Sequence, residues 1–201
     1  MAPGVSATRA AAARVTAATA IGALTAVVTD RGVAATWFHD DDDDAEAEAA
    51  LVDAEARLGC VISPAPRSLA GVRREIESYF AGRRRTFDTP TDLSLGPDGF
   101  GRRVLEVTAT IPFGELWTYG DVAGMAGSPR GGRAAGNALN RCPIELFVPC
   151  HRVVHAGGTI GGYGRHTDRK RFLIDLEAGA DHGGADHGGA PRGGRSTRRA
   201  R

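Results

Sequence analysis

The chemistry in this chain is concentrated in one phrase, Pro149-Cys150-His151-Arg152-Val153. A thiolate is a strong nucleophile, and a neighbouring His or Arg favours it over the thiol. The phrase therefore has the parts for a Cys whose pKa is lowered, set behind the apolar run Leu146-Phe147-Val148, which reads as a strand end. Taken alone, Cys is also a common core residue. The other candidates are weaker. Cys60 reads as a small buried hydrophobe. His155, His166, His182 and His187 have no ligand spacing with any Cys, so no metal site is read. The run Asp40–Asp44 reads as a solvated loop, because consecutive carboxylates do not converge on one ion without a shaped loop.

The surroundings of that phrase are basic. Residues 1–100 carry 10 Arg against 15 acids, and residues 101–201 carry 15 basic side chains against 9 acids. The second half is thus the candidate for a polyanion. Lys170 is the one Lys; the other basic residues are Arg, which suits bidentate phosphate contact but also follows from GC-rich coding. Three Cys in 201 residues argue against a disulfide scaffold, and no apolar run reaches membrane-spanning length. Val15–Val28 faintly mimics a signal peptide, but its Thr content and Gly22 read better as strand, so the cytosol is expected.

Several elements must position the Cys. Runs near 14–20, 23–29 and 33–38, separated by Ile21-Gly22 and Asp30-Arg31-Gly32, predict a three-stranded meander. Ala45–Leu58 is a helix by propensity, ended by Gly59. Cys60-Val61-Ile62 is a short apolar piece stopped by Pro64 and Pro66. Leu69, Val72, Ile76 and Phe80 predict a helix over 69–82. The stretch 86–99, with Pro90, Pro97, Gly96 and Gly99, contains the linker. Beyond it, Phe100, Val104, Val107 and Ile111 share one helix face. Short helices over 118–125, with Thr118 as N-cap, and over 130–139 meet at Gly127-Ser128-Pro129 in a helix-turn-helix pattern. A last helix is read at Lys170–Glu177. The division expected is a disordered N-terminus over 1–13, an α+β domain over 14–90, a linker over 91–99, a DNA-binding and transfer domain over 100–179, and a low-complexity basic tail over 180–201.

The combination of PCHRV with an upstream RAAG resembles the O6-alkylguanine-DNA alkyltransferases, also called methylated-DNA–protein-cysteine methyltransferases. The matching pieces are IPFGELWTYGDVA (111–123), SPRGGRAAGNALNR (128–141), IELFVPCHRVV (144–154), GGYG (161–164) and RKRFLIDLEAG (169–179). The resemblance is strong over 100–179 and looser over 15–90, where YFAGRRRTFD adds to it. It implies an α+β protein: a small RNase-H-like N-terminal domain, with a three-stranded antiparallel sheet plus helices, followed by a mainly helical domain with a helix-turn-helix. It implies a single-turnover DNA repair protein that flips an O6-alkylated guanine out of the duplex. The alkyl group would pass to Cys150, with His151 as base through a water, Glu177 orienting the His, and Tyr119 donating to the leaving purine. Val153, Tyr163 and Gly164 would meet the flipped base. Arg133 would fill the gap in the stack, while Ala134 and Gly136 would let the helix approach the minor groove closely. Arg130 and Arg141 would contact phosphates. No cofactor or metal is implied; the partner would be double-stranded DNA carrying O6-alkylguanine, and the protein a monomer in the cytoplasm, with no membrane partner.

Two positions depart from that pattern. Cys142, in NRCP, stands where relatives usually have an Asn that links the recognition helix to the active-site strand. Cys is a weaker hydrogen-bonding group, so a looser link and slower transfer are expected, with a disulfide or relay between Cys142 and Cys150 as a hypothesis. The loop GGYGRHTD (161–168) is poor in apolar residues, which leaves the accepted alkyl size open. Two other readings stand beside the first. One is a lesion-binding module that recruits other repair factors without transfer. The other is a helix-turn-helix regulator, disfavoured by the lack of base-reading side chains in 130–140.

Overall fold

A computed structural model describes residues 11–40, 44–163 and 166–179. The calls made on 1–10, on most of the Asp40–Asp44 run, on Gly164 and on the tail 180–201 lie outside the described residues. Strands β1 (Ala12–Thr19), β2 (Gly22–Thr29) and β3 (Gly32–His39) form the expected antiparallel meander. Its two turns place Gly22 and Gly32 at φ of 103° and 131°, which side chains rarely adopt. A fourth strand, β4 (Ile62–Pro64), extends the sheet by pairing parallel to β1, giving the order β3-β2-β1-β4. The three-stranded antiparallel expectation is corrected to that extent. Three residues with Pro at the end carry too little pattern to read as strand, and an edge position tolerates the missing N–H.

Helix α1 (Asp44–Leu58) covers one sheet face through Ala54, against Ala12, Val27, Ala35 and Ile62. Helix α2 (Ala70–Phe80) covers the other through Val72, Ile76 and Tyr79. The sheet is buried on both sides, which explains why β2 reads almost continuously apolar rather than alternating. The segment after α2 does not hang free of the sheet. Val33 N donates to Pro90 O at 2.8 Å and Asp92 N to Val33 O at 2.7 Å. Asp92 accepts from Thr29 at 2.9 Å and pairs with Arg31 at 3.1 Å.

Helices α3 (Phe100–Ala109), α4 (Tyr119–Met125) and α5 (Gly132–Leu139) pack together, with α4 opened by the expected Thr118 cap in a reciprocal box with Asp121. Strands β5 (Trp117–Thr118) and β6 (Val153–Val154) make a two-stranded parallel ladder, and α6 (Thr167–Glu177) closes the described chain. One apolar cluster runs from Leu24 and Phe38 in the sheet through Tyr79 to Leu105, Val122, Ile144 and Cys150. The run 146–148 is not a strand: it makes an isolated bridge and a turn, with Val148 N on Ile144 O at 3.0 Å and Leu146 at φ 74°. Its apolar character reflects burial, not strand pairing; Leu146 and Val148 are fully enclosed.

Candidate active site

Cys150, His151 and Arg152 form one 3-10 turn between Pro149 and β6. Arg152 N donates to Pro149 O at 2.9 Å, and Val153 N–H closes the turn on Cys150 O. With three residues per turn, successive side chains leave in different directions. All three are buried. His151 and Arg152 meet Glu177, in the last residue of α6, while the Cys150 thiol is set among Cys142, Glu145 and Lys170.

Glu177 is the hub of the buried polar network. His151 Nε2 lies 2.9 Å from its Oε1, Arg152 donates from Nε and Nη2 at 2.7–3.1 Å, and Tyr79 Oη donates at 2.5 Å. Gly114 N donates to Oε2 at 2.9 Å. Burial opposes the charge, but the hydrogen bonds from His151 and Arg152 outweigh it and hold the carboxyl well below the usual range. Burial, reinforced by the Glu177 charge, pushes the Tyr79 phenol far up, so it stays a donor.

His151 is fully enclosed, and burial lowers its pKa against the pull of Glu177. It is therefore neutral near pH 7. A carboxylate can only accept, so the ring proton is assigned to Nε2. That leaves Nδ1 as the acceptor, and Nδ1 has no partner among the described residues. A neutral imidazole with one nitrogen anchored on a carboxylate and the other free has the arrangement of a general base.

The expectation of a lowered Cys150 pKa is corrected. The thiol is pushed well up, first by its hydrogen bond with Cys142, then by burial and by the charges of Cys142 and Glu145; Lys170 opposes. Adjacency in sequence gave the wrong sign because His151 is neutral and Arg152 is neutralised by Glu177. Cys142 and Cys150 are both free thiols.

Tyr119 opens α4 and is half-buried, raised by burial and by the Cys150 charge. Its ring packs against Gly136 of α5, where a Cβ would stand 3.6 Å from Cε1. The same residues, with Arg133, Asn140, His155 and Gly162, line a cleft of about 500 Å³. Arg130, Arg133, Ala134 and Arg141 are exposed on the α4–α5 side, and Arg130 and Arg133 pair with no described acid. Val153 does not offer a free N–H: the turn uses it, and its carbonyl takes Lys170 Nζ at 2.5 Å. Tyr163 is buried.

Three residues of this centre, Lys170, Tyr79 and Glu145, were given no role from sequence, and Arg152 was read only as a neighbour that lowers the thiol pKa. Burial lowers the Lys170 pKa to about 8. Tyr79 repeats with Val72 and Ile76 along α2 and so reads as core. Glu145 had a usable signal, an acid inside an apolar run.

The chain is similar to known proteins over most of its length. Residues 99–179 match the family described as 6-O-methylguanine DNA methyltransferase, DNA binding domain. A methylated-DNA–protein-cysteine methyltransferase of Mycobacterium bovis is 43% identical over 115 residues, 57% of this chain and 68% of that protein. The crystal structure of the Mycobacterium tuberculosis O6-methylguanine methyltransferase superposes with a TM-score of 0.68 at 31% identity, over 87% of this chain and 96% of that one. The structure of the M. tuberculosis protein, there called OGT, in complex with DNA gives a TM-score of 0.66 at 30% identity, over 84% and 93%.

Proposed function

Because the chain belongs to the methylated-DNA–protein-cysteine methyltransferase family, which repairs DNA by direct alkyl transfer to a cysteine of the protein, we propose that Cys150 is its acceptor and O6-alkylguanine its lesion. The observation that carries this assignment is the buried relay Glu177–His151 Nε2 with Nδ1 left free, one residue from a thiol whose pKa is raised by its surroundings. His151 Nδ1 takes the thiol proton, directly or through water, as the sulfur attacks the alkyl carbon in line with the departing O6. Glu177 stabilises the imidazolium that results. Guanine leaves with the C–O electron pair, helped by a hydrogen bond from Tyr119, and regains one proton. The thioether has no leaving path, so each molecule reacts once.

DNA is the partner. The finer reading is that α5 lies along the minor groove, with the small side chain of Ala134 allowing close approach, Arg133 filling the stack, and Arg130 and Arg141 on phosphates. The flipped base would enter the cleft of Tyr119, Gly136 and Gly162, beside Tyr163. The same reading has the protein act as a monomer in the cytoplasm. The test is intact-protein mass spectrometry after incubation with a duplex holding one O6-methylguanine. One added methyl (about 14 Da), mapped to Cys150 and absent in Cys150→Ala, is expected. No adduct, with lesion-selective binding, would favour a lesion-binding module instead.

A further inference from the structure

The sheet face under α1 changes character along its length. Its apolar end, Ala12, Val27, Ala35 and Ile62, packs against Ala54. The two-residue period of the strands then puts Arg14 and Thr16 of β1, Thr25 of β2, and Trp37 and His39 of β3 on that same face. Thr16 pairs with Thr25 and Thr25 with Trp37, so the three form one row across the strands. Thr16 Oγ1 and Thr25 Oγ1 lie 2.8 Å apart, and Thr25 Oγ1 lies 3.1 Å from His39 Nε2. Over this polar end α1 sets Ala47, whose single methyl does not fill the space, and a cleft of about 310 Å³ lies between helix and sheet with all of these polar residues in its lining.

Two groups of that lining are left over. Arg14 Nε and Trp37 Nε1 are buried and meet no acceptor among the described residues. Both can only donate, so what they lack is an acceptor, and leaving them unpaired is costly. Arg14 also forms no ion pair with a described acid. Water would serve the N–H groups but would not balance the guanidinium charge. An oxyanion does both, and Arg holds one through parallel N–H bonds. A proton order running from His39 to Thr25 to Thr16 frees the Thr16 hydroxyl to donate as well. The cleft has the room of about ten waters, enough for an anionic head with a small organic group behind it. Glu48 of α1 is the one acid in the lining, and it is exposed.

We propose that the cleft between α1 and the sheet is a binding site for a small oxyanion, a phosphate or carboxylate head taken by the Arg14 guanidinium and the Trp37 indole N–H. None of its residues belongs to the Glu177 network or lines the cleft at Tyr119, so the site stands apart from the assignment of Cys150 as acceptor.

The test is a magnetic-resonance titration of the isotopically labelled full chain, read at its indole N–H signals. The chain has two Trp, Trp37 and Trp117. Trp117 Nε1 already donates to Glu115 at 3.3 Å and serves as the internal reference. Inorganic phosphate and acetate are added separately, with ionic strength held constant by NaCl. The Trp37 signal, identified by its loss in Trp37→Phe, is expected to move and saturate with a Kd of about 1 mM or tighter while that of Trp117 stays. Saturation by phosphate alone assigns a phosphoryl head, and saturation by acetate a carboxylate. Arg14→Met should weaken binding by about tenfold or more, the factor of one hydrogen bond to a charged group. Glu48→Gln removes a like charge from the rim and should tighten it. That position is exposed on a helix, so this variant answers the question even if Arg14→Met does not fold. A Trp37 signal that moves no further than in NaCl, a Kd unchanged by Arg14→Met, or binding weakened by Glu48→Gln overturns the proposal.

Discussion

Replacing Glu177 by Gln tests the reasoning about the buried relay most directly. The Glu177 and Arg152 side chains are 3% and 8% exposed and meet at 2.7 Å. Neutralising the carboxylate leaves the guanidinium buried without a counter-charge, beside its bond to Ile111 O and its cation–π contact with Phe113. Removing one partner of a buried pair costs about 3–5 kcal/mol. At about 2–4 °C per kcal/mol for a chain of this size, the melting temperature should fall by about 6–20 °C. The second effect is on rate. Gln presents either an NH₂ or an uncharged oxygen to His151, so the imidazolium loses its counter-charge and the tautomer its lock. Where a hydrolase triad loses the same charge the rate falls about 10⁴-fold, and a loss of about 10²–10⁴ is expected here. The assay is single-turnover transfer at a temperature where circular dichroism shows the variant folded. Tyr79→Phe is the control: it deletes one donor but leaves the charge with four others, so it should cost only about 1–3 kcal/mol and far less rate. Transfer by the folded Glu177→Gln variant within threefold of wild type would refute the relay and leave Glu177 a structural ion.

Other outcomes follow from the same geometry. Cys142→Ala removes the thiol hydrogen bond that raises Cys150, so iodoacetamide labelling of Cys150 should titrate at lower pH and transfer should speed up; an unchanged profile would count against that coupling. Stability should fall in acid: the folded Glu177 pKa lies below its unfolded value of about 4.3, so its contribution is full above that pH and is lost as pH drops through and below it, as urea melts from pH 6 to 2 would show. Gly32→Ala should destabilise by about 1–3 kcal/mol or more in urea melts, because φ is 131° and a Cβ would sit 2.2 Å from Pro90 O. Arg130→Ala and Arg141→Ala should each reduce the salt slope of DNA binding by about 0.9, whereas Arg133→Ala should lower lesion selectivity as well.

Much of the scaffold was legible because its signals are local. The Gly22 and Gly32 turns, the Thr118 cap and the Val72–Ile76 periodicity each announce their element within a few residues. The strand Ile62–Pro64 did not, since it depends on an edge offered by β1 some fifty residues away. The run 146–148 misled for a related reason: composition reports burial, and burial has more than one backbone solution. In the site, Cys150, His151 and Glu177 were found by motif, and the structure brings the last two into contact. The sign of the Cys150 shift was missed because it depends on what His151 and Arg152 face, which is Glu177 rather than the sulfur. Tyr79 was missed because a core periodicity hides the hydroxyl at its end.

The Glu177 hub also sets an order of events during synthesis. Its donors come from residues 79, 114, 151 and 152, and the carboxylate closes contacts that span up to 98 positions. On the ribosome, Cys150 emerges well before residue 177 does. Until α6 docks, His151 has no carboxylate to fix its proton and Arg152 has no counter-ion. On the proposed assignment of Cys150 as acceptor, a nascent chain would display the thiol without the means to activate it, and a nucleophile that is spent only once would be guarded until the chain is finished.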